Sequence, residues 1–264
     1  GDVYKRQDML EAALTAGLCS VGADVESLGV VPTPAVAYLV RKYNADAGVV
    51  ISASHNPMEF NGIKIFAGTG YKLPDEVENK IEAYIDNQCA GLKLATGDDV
   101  GRVTCRTDGI KDYTDHLYES INGDLSGLNI CIDCANGASA AVARQLFPRL
   151  GAKCTFIGVE PDGKNINAGV GSTHLDNLEK AVVEGGFDCG IAFDGDADRC
   201  LACDEKGQEI DGDKVIALLA MNMKEKGCLD GNTAVVTVMS NLGFIKFMAV
   251  SYTHLRAHET RGNL

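Results

Sequence analysis

The sequence has 264 residues, of which 45% are apolar, so it can form one large domain or two ordinary ones, and wholesale disorder is excluded. A net charge of −13 and a pI of about 4.8 argue against a general nucleic-acid binder, which presents a basic face. An anionic substrate remains compatible, because a few basic side chains or helix N-termini can hold a phosphate. No apolar run is long enough to span a bilayer and no signal peptide is recognisable, so we expect a cytoplasmic protein without nucleic-acid or membrane partners.

The predicted elements alternate between amphipathic helices and apolar strands. In the first half, helices are predicted over 9–22, 35–44 and 72–85, and strands over 23–31 and 47–54. In the second half, strands are predicted over 128–134, 152–160 and 187–193, and helices over 139–151, 175–186 and 212–227. Repetition of strand, helix and strand predicts an α/β protein whose sheets are largely parallel.

Both ends of the chain break the pattern of the segments that they adjoin and resemble translated adapter sequence. We therefore expect the chain to be an internal piece of a longer protein. The strand–helix cycle restarts twice. The predicted organisation is domain 1 over 8–122, domain 2 over 123–230, the start of a truncated domain 3 over 231–250, and non-native tails over 1–7 and 251–264.

Ten cysteines in a chain of this length do not indicate a disulfide scaffold. Two C-x-x-C pairs, Cys131/Cys134 and Cys200/Cys203, could indicate zinc. Both pairs lie in strand-like stretches, where positions i and i+3 point to opposite faces. We therefore interpret these cysteines as reduced, buried small side chains and expect a reducing compartment.

The stretch ISASHNPMEFNGIKIF (51–66) changes abruptly from apolar to polar at the end of a predicted buried strand. It places a hydroxyl at Ser54, an imidazole at His55 and an ammonium at Lys64. Loops at the ends of buried strands commonly carry functional side chains, because the strands hold them in place. By itself, Lys64 would be interpreted as a surface residue.

The stretch FDGDADR (193–199) places Asp194, Asp196 and Asp198 at alternate positions, directly after a predicted strand. Three carboxylates this close repel one another strongly unless a cation lies between them. All-oxygen ligands suit Mg²⁺, which usually keeps waters and a phosphate oxygen in its coordination shell. The sequence therefore predicts a magnesium site.

Two other interpretations of this acidic stretch remain open. The first is an EF-hand, because Glu205 falls at the twelfth position of that pattern. Arg199, however, replaces the glycine that the sixth position requires, and the flanks are strand-like rather than helical. The second is a solvated acidic turn between two strands, without a cation.

A serine loop with a nearby histidine and lysine, together with three aspartates and an arginine, indicates phosphoryl transfer. In such chemistry the protein mainly positions the phosphoryl group and neutralises its charge. The serine could be the nucleophile and phosphate carrier, with Mg²⁺ between the aspartates and the seryl phosphate. This interpretation requires that the fold bring the two loops together.

The motif ASHNP followed by NGIKIF, with FDGDADR downstream, resembles the α-D-phosphohexomutase family. DCANGA (133–138), NINAGVGSTH (165–174) and TVMSN (237–241) resemble the branch of that family that acts on glucosamine phosphate. The resemblance covers roughly residues 8–249. It implies consecutive three-layer α/β domains with mixed, largely parallel sheets.

The resemblance assigns the phosphate-carrying role to Ser54. It implies that Asp194, Asp196 and Asp198 hold one Mg²⁺ together with an oxygen of that phosphoserine. The implied substrate is a hexosamine phosphate: glucosamine 6-phosphate would be converted through the 1,6-bisphosphate into glucosamine 1-phosphate.

The resemblance also implies roles for three neighbours of Ser54. His55 and Lys64 would lie beside the transferring group, with Lys64 a candidate for proton transfer. Arg199 would bind phosphate or help to hold the serine loop.

Three alternatives to a glucosamine phosphate mutase stay open. They are a phosphomannomutase or phosphoglucomutase of the same family, a Mg²⁺-dependent phosphohydrolase in which water replaces the sugar hydroxyl, and an inactive fragment. The family's sugar-recognition loop and its phosphate-binding fourth domain are not found in this sequence, so we expect the chain as it stands to be inactive. No feature of the sequence specifies an oligomeric state.

Overall fold

The structure is a computed structural model that describes residues 6–121, 123–251 and 254–257. The chain divides into two compact units, Gly1–Gln208 and Glu209–Leu264. The predicted boundaries at 122/123 and 230/231 and the two non-native tails stay predictions. Most of the residues assigned to those tails lie outside the described part of the chain.

The first unit alternates helices and strands, as the sequence predicts. Its helices are α1 (Gln7–Ser20), α2 (Thr33–Lys42), α3 (Asp75–Asp86), α4 (Gly109–Ser120), α5 (Ser139–Arg149) and α6 (Asp176–Gly185). Its strands are β1 (Val25–Ser27), β2 (Ala47–Ile51), β3 (Ile63–Ala67), β4 (Val103–Cys105), β5 (Asn129–Asp133), β6 (Lys153–Ile157), β7 (Cys189–Phe193) and β8 (Cys200–Asp204). No described helix has the length and apolar character needed to cross a membrane.

The strand pairs of the first unit are mixed in direction. β1 pairs with β4 in parallel, and β2 pairs with β3 antiparallel. Farther along the chain, β6, β5, β7 and β8 lie side by side in that order. β5 is parallel to both of its neighbours, whereas β8 runs antiparallel to β7. The carboxyl ends of β5, β6 and β7 therefore meet at one edge of the sheet, where α/β proteins place their sites.

Strand β5 shows why this sheet lies between two helix layers. Ile130 and Ile132 pack into a cluster that includes Ala143 of α5. Cys131, between them, faces the opposite cluster, which includes Leu178 and Val182 of α6. All six side chains are almost completely buried, which stabilises the fold by about 1.5–3 kcal/mol for each large aliphatic group. Alternation along one strand thus builds a helix–sheet–helix sandwich, as predicted for this region.

The predicted strand over 23–31 is wrong at its carboxyl end. Only Val25–Ser27 forms β1, because Gly29 adopts a left-handed backbone with φ of +66° that ends the ladder. Val31 is nevertheless only 1% exposed and packs in the core beside α2. Burial of an apolar run therefore does not require that the run be a strand.

The second unit contains two α-helices and three strands in its described residues. They are β9 (Glu209–Ile210), α7 (Gly212–Glu225), β10 (Thr233–Val236), α8 (Leu242–Val250) and β11 (His254–Ala257). A small core joins Ala220, Val236, Phe244 and Met248. Leu218 and Val250 stay at least 70% exposed, because so few elements cannot cover every apolar face.

Candidate functional site

The aspartate loop is the turn between β7 and β8, at the carboxyl edge of the sheet. Asp194 and Asp196 are fully buried, while Asp198 is exposed. The loop is fastened by its backbone: the N–H of Ala138 donates to the carbonyl of Gly195 at 2.8 Å. The flanking segments are strands rather than helices, so the EF-hand interpretation is wrong.

The serine loop leaves β2 and returns as β3. Ser54 has a left-handed backbone with φ of +54°, and its N–H donates to Ser52 Oγ at 2.8 Å. Ser52 is thus a structural hydroxyl of the loop. The antiparallel pairing of Val50 with Lys64 brings the lysine back to the mouth of the same loop.

The structure brings the two loops together across 140 residues of sequence. Ser54 Oγ donates to Asp194 Oδ2 at 3.1 Å and lies 3.5 Å from Asp198 Oδ1. The predicted nucleophile therefore contacts two members of the predicted metal site directly.

Lys64 connects the remaining carboxylates of the site. Its Nζ donates to Asp196 Oδ2 at 2.6 Å and to Asp198 Oδ2 at 2.9 Å. Burial would lower the pKa of Lys64, but the hydrogen bonds to the two carboxylates raise it above its ordinary value. The lysine is consequently a protonated counter-charge at neutral pH.

The pKa values of the two buried aspartates are shifted in opposite directions. Burial, followed by repulsion from Asp196, raises the pKa of Asp194 to about 6. Burial would also raise the pKa of Asp196, but hydrogen bonds from Lys64 and Thr33 hold it below its usual value. Negative charge at Asp194 is therefore less compensated than that at Asp196, and a nearby cation would stabilise it.

Thr33 is a site residue that sequence reasoning missed. Its N–H donates to the Asp196 carbonyl at 2.9 Å, and its Oγ1 donates to Asp196 Oδ2 at 2.5 Å. It lies at the N-terminus of α2, beside Pro34, so the sequence indicates only the start of a helix. Thr33 and Asp196 are 163 positions apart, and no local pattern connects them.

Asn167 is the second residue that sequence reasoning missed. Its side-chain amide donates to the backbone carbonyls of Ser54 and Asn56, at 2.9 and 3.2 Å. The signal available in the sequence was the motif NINAGVGSTH, which carried no residue-level role.

His55 and Arg199 lie in the two loops, but neither side chain forms a hydrogen bond with Ser54 Oγ. His55 Nδ1 is buried without a hydrogen-bond partner among the described residues. The backbone N–H of Arg199 donates to Asp194 Oδ1 at 3.1 Å, and the residue is exposed. The predicted roles of both side chains stay predictions.

The donor set suits a divalent cation. Asp194, Asp196 and Asp198 each offer an oxygen, and these oxygens lie within 4.8 Å of one another. Asp196 Oδ1 is buried and has no hydrogen-bond partner among the described residues, so this oxygen is available to coordinate a cation. The cysteine pairs form no comparable cluster in the described part of the chain, and all ten cysteines are free.

Fold and site together define an α/β protein in which a serine hydroxyl faces a cluster of carboxylates that could hold a cation. Two family models match the chain, "Phosphoglucomutase/phosphomannomutase, alpha/beta/alpha domain I" over residues 1–90 and the corresponding domain II over 111–207. The chain therefore belongs to the phosphoglucomutase/phosphomannomutase family, which confirms the resemblance to the α-D-phosphohexomutases.

Curated relatives point to one branch of this family. The phosphoglucosamine mutase of Clostridium tetani is 57% identical over 235 residues, which are 89% of this chain and 52% of that protein. The phosphoglucosamine mutase of Acetivibrio thermocellus is 56% identical over 236 residues, 89% of this chain and 53% of that protein. The chain thus spans about half the length of the curated relatives that it matches.

Solved structures agree with the fold. A phosphoglucomutase/phosphomannomutase family protein from Burkholderia thailandensis matches 98% of this chain and 57% of its own, with a TM-score of 0.81 and 23% identity. The N-acetylphosphoglucosamine mutase of Aspergillus fumigatus in complex with GlcNAc-6P and magnesium matches 92% of this chain and 60% of its own, with a TM-score of 0.59 and 17% identity. These likenesses confirm the predicted α/β fold class.

Proposed function

We propose that this chain is the phosphoserine- and metal-binding part of a phosphoglucosamine mutase, which interconverts glucosamine 6-phosphate and glucosamine 1-phosphate. The observation that carries the proposal is the contact of Ser54 Oγ with Asp194 Oδ2 at 3.1 Å. It supports the proposal because the hydroxyl of a candidate nucleophile lies beside carboxylates suited to a cation. The names of the relatives support the choice of glucosamine phosphate as substrate.

Ser54 would carry the phosphate between two half-reactions. In the first, O1 of glucosamine 6-phosphate attacks the seryl phosphorus; an O1–P bond forms, the P–Oγ bond breaks, O1 loses its proton and Ser54 Oγ gains one. In the second, Ser54 Oγ attacks the phosphorus on O6 of the 1,6-bisphosphate; an Oγ–P bond forms and the O6–P bond breaks. Ser54 loses its proton and O6 gains one, so glucosamine 1-phosphate leaves and phosphoserine is restored.

Asp194, Asp196 and Asp198 would hold Mg²⁺, which when bound neutralises charge on the phosphoryl group. Lys64 keeps Asp196 ionised and is protonated, so it would supply positive charge or a proton at the oxygen that leaves phosphorus. Arg199, exposed beside the aspartate loop, would bind a phosphate of the sugar. His55, the residue after Ser54, would lie beside the phosphoryl group that is transferred.

The ten free cysteines support a reducing compartment, and we propose that the protein works in the cytoplasm. Four of the thiols, including Cys131 and Cys203, are buried. Burial raises the pKa of each of these two to about 11, which keeps them protonated and unreactive.

Transfer of phosphate to the purified chain tests the proposal. The chain is incubated with glucosamine 1,6-bisphosphate and Mg²⁺, and intact-mass and peptide mass spectrometry locate any phosphate. We expect one phosphate on Ser54 after slow, single-turnover transfer, since the chain as it stands is not expected to turn over sugar phosphate. Phosphate found only on other residues, or none at all, would exclude the mutase assignment.

A second measurement separates a mutase from a phosphohydrolase. Inorganic phosphate is followed over many equivalents of sugar bisphosphate. A mutase retains the phosphate on Ser54, whereas a phosphohydrolase releases it continuously to water. Continuous release would overturn the mutase assignment, although the metal site would remain.

A further inference from the structure

We propose that Asn167 is a positioning residue that holds the Ser54 loop against the aspartate loop through its side-chain amide. The inference rests on the proposed function, because it concerns the nucleophile of that reaction. The amide Nδ2 donates to the carbonyls of Ser54 and Asn56, at 2.9 and 3.2 Å. One side chain from a distant part of the sequence thus ties both ends of the Ser54–Asn56 turn.

The Ser54 loop needs such a contact. Ser54 has φ of +54°, a conformation that is unfavourable for residues other than glycine and asparagine. Within the loop, the N–H of Asn56 donates to the carbonyl of Ala53 at 3.0 Å, and the N–H of Ser54 donates to Ser52 Oγ at 2.8 Å. A strained backbone persists when surrounding groups hold it, and Asn167 supplies two hydrogen bonds from outside the loop.

Asn167 is itself firmly placed. Its N–H donates to the carbonyl of Ala135 at 3.0 Å, and its own φ of +55° is one that asparagine tolerates well. Beneath it, the fully buried carboxylate of Asp133 accepts the N–H groups of Ala135 and Gly171, each at 2.8 Å. A buried aspartate therefore organises the two segments that carry Asn167.

Gly195, in the aspartate loop, has no side chain and so allows Asn167 and Ser54 to approach this loop closely. A Cβ atom at that position would lie 2.8 Å from Asn167 Nδ2 and 2.8 Å from the Ser54 carbonyl oxygen. The absence of a side chain lets the amide, the serine carbonyl and the aspartate loop meet at one point. Movement of the amide would therefore move Ser54 relative to Asp194.

The orientation of the amide follows from its surroundings. Asn167 is only 5% exposed, and its Oδ1 is buried without a hydrogen-bond partner among the described residues. Rotating the amide by half a turn would set this oxygen against two carbonyl oxygens. The buried, unpaired oxygen is unfavourable, so the two donated bonds are what keep the side chain in this position.

Two variants separate the loss of donated bonds from a change in charge. Asn167→Asp keeps the shape and the tolerance for positive φ, but its carboxylate cannot donate to the two carbonyls. Asn167→Gly removes the side chain without adding charge and also tolerates positive φ. Asn177→Asp is the matched control, because Asn177 Nδ2 donates to the Gly169 carbonyl at 2.7 Å, within the same region but away from Ser54.

The experiment uses the whole chain and two readouts. Phosphorylation of Ser54 by glucosamine 1,6-bisphosphate is measured over a range of donor concentrations. Both Asn167 variants should lower the maximal rate about 10- to 100-fold and leave the half-saturating donor concentration within about twofold, as expected when a nucleophile is misplaced. Amide hydrogen exchange should rise in residues 53–57, while the control matches the parent chain in both readouts.

The outcomes distinguish this inference from the proposed function. If the parent chain accepts no phosphate, the proposed function fails, and the exchange of residues 53–57 still decides whether Asn167 holds the loop. If exchange in 53–57 is the same in the Asn167 variants as in the control, the inference is wrong. A rise in exchange throughout the unit with a lower unfolding temperature would also overturn it, because the role would then be general stability.

Discussion

The two loops of the site are supported in different ways. The aspartate loop follows β7, which has a strand on each side, and two of its three carboxylates are fully buried. The serine loop follows β2, whose described strand partner is β3 alone, and Ser54 is only partly buried. The first loop is held by the sheet and by hydrogen bonds from Thr33 and Lys64, whereas the second is held by the contacts of Ser54 with Asp194 and Asn167.

The two loops therefore contribute different properties to the site: the aspartate loop contributes negative charge, and the serine loop contributes the position of one hydroxyl. The aspartate loop gathers three carboxylates that could hold a cation at the edge of the sheet. The serine loop presents Ser54 Oγ, whose position depends on contacts between distant segments. Changes in the first loop should therefore act on metal affinity, and changes around the second should act on phosphoryl transfer.

The largest effect is expected from Ser54→Ala, which removes the reactive oxygen. The variant should accept no phosphate from glucosamine 1,6-bisphosphate, as measured by peptide mass spectrometry. Its affinity for Mg²⁺ should stay close to that of the parent chain, because the carboxylates remain. Ser52→Ala is the control: it removes the Oγ that accepts the Ser54 N–H, yet the chain should still be phosphorylated. Equal phosphorylation of Ser54→Ala would show that the carrier is another residue.

Asp196→Asn should weaken Mg²⁺ binding about 10- to 100-fold, measured by calorimetry, because it removes one charge and weakens the contact with Lys64. Glu205→Gln removes the same charge from an exposed position at the far end of β8, and it should leave the affinity unchanged. If the two variants bind Mg²⁺ equally well, the aspartate loop is an acidic turn and not a metal site.

The raised pKa of Asp194 predicts a dependence of stability on pH. Its pKa is about 6 in the folded chain and about 3.8 when unfolded, so the folded state binds the proton more tightly. Without divalent cations, the contribution of Asp194 to the free energy of unfolding should therefore fall as pH rises from about 4 to about 6. Asp133, whose pKa burial also raises, contributes in the same direction.

Thermal unfolding of the parent chain and of Asp194→Asn across this pH range measures the effect. In the variant, the free energy of unfolding should depend less steeply on pH. The dependence that remains comes from Asp133 and other groups. Mg²⁺ should restore stability to the parent chain above pH of about 6, because it binds the ionised carboxylate. An identical slope in the two proteins would mean that Asp194 ionises normally.

The smallest effect is expected from Thr33→Val, which removes the hydrogen bond from Oγ1 to Asp196 but keeps the backbone contact. The free energy of unfolding should fall by about 1–2 kcal/mol in urea denaturation, since a hydrogen bond to a charged group is lost. Thr33→Ser keeps the hydroxyl and should stay close to the parent chain. A fall of similar size in Thr33→Ser would assign the effect to packing of the methyl group.

Much of the site could be predicted from local sequence. Ser54 follows an apolar run, and Asp194, Asp196 and Asp198 follow another, so both loops were recognisable at the ends of buried strands. The carboxylate spacing also indicated a cation, because like charges at alternate positions need compensation. The same reasoning extended the strand at 23–31 too far, since apolar character indicates burial and does not specify a ladder.

By itself, the sequence determined the residue types of the site, the α/β layers and the family, because each of these depends on patterns among residues that are close together in the sequence. The tertiary structure alone decided that Thr33 holds Asp196 and that Asn167 holds the Ser54 loop, across 163 and 113 positions. The physical reason is that Asn167 binds backbone carbonyls, which every residue has. Such a contact leaves no mark in the partner's side chain, so only the packing of one segment against another reveals it.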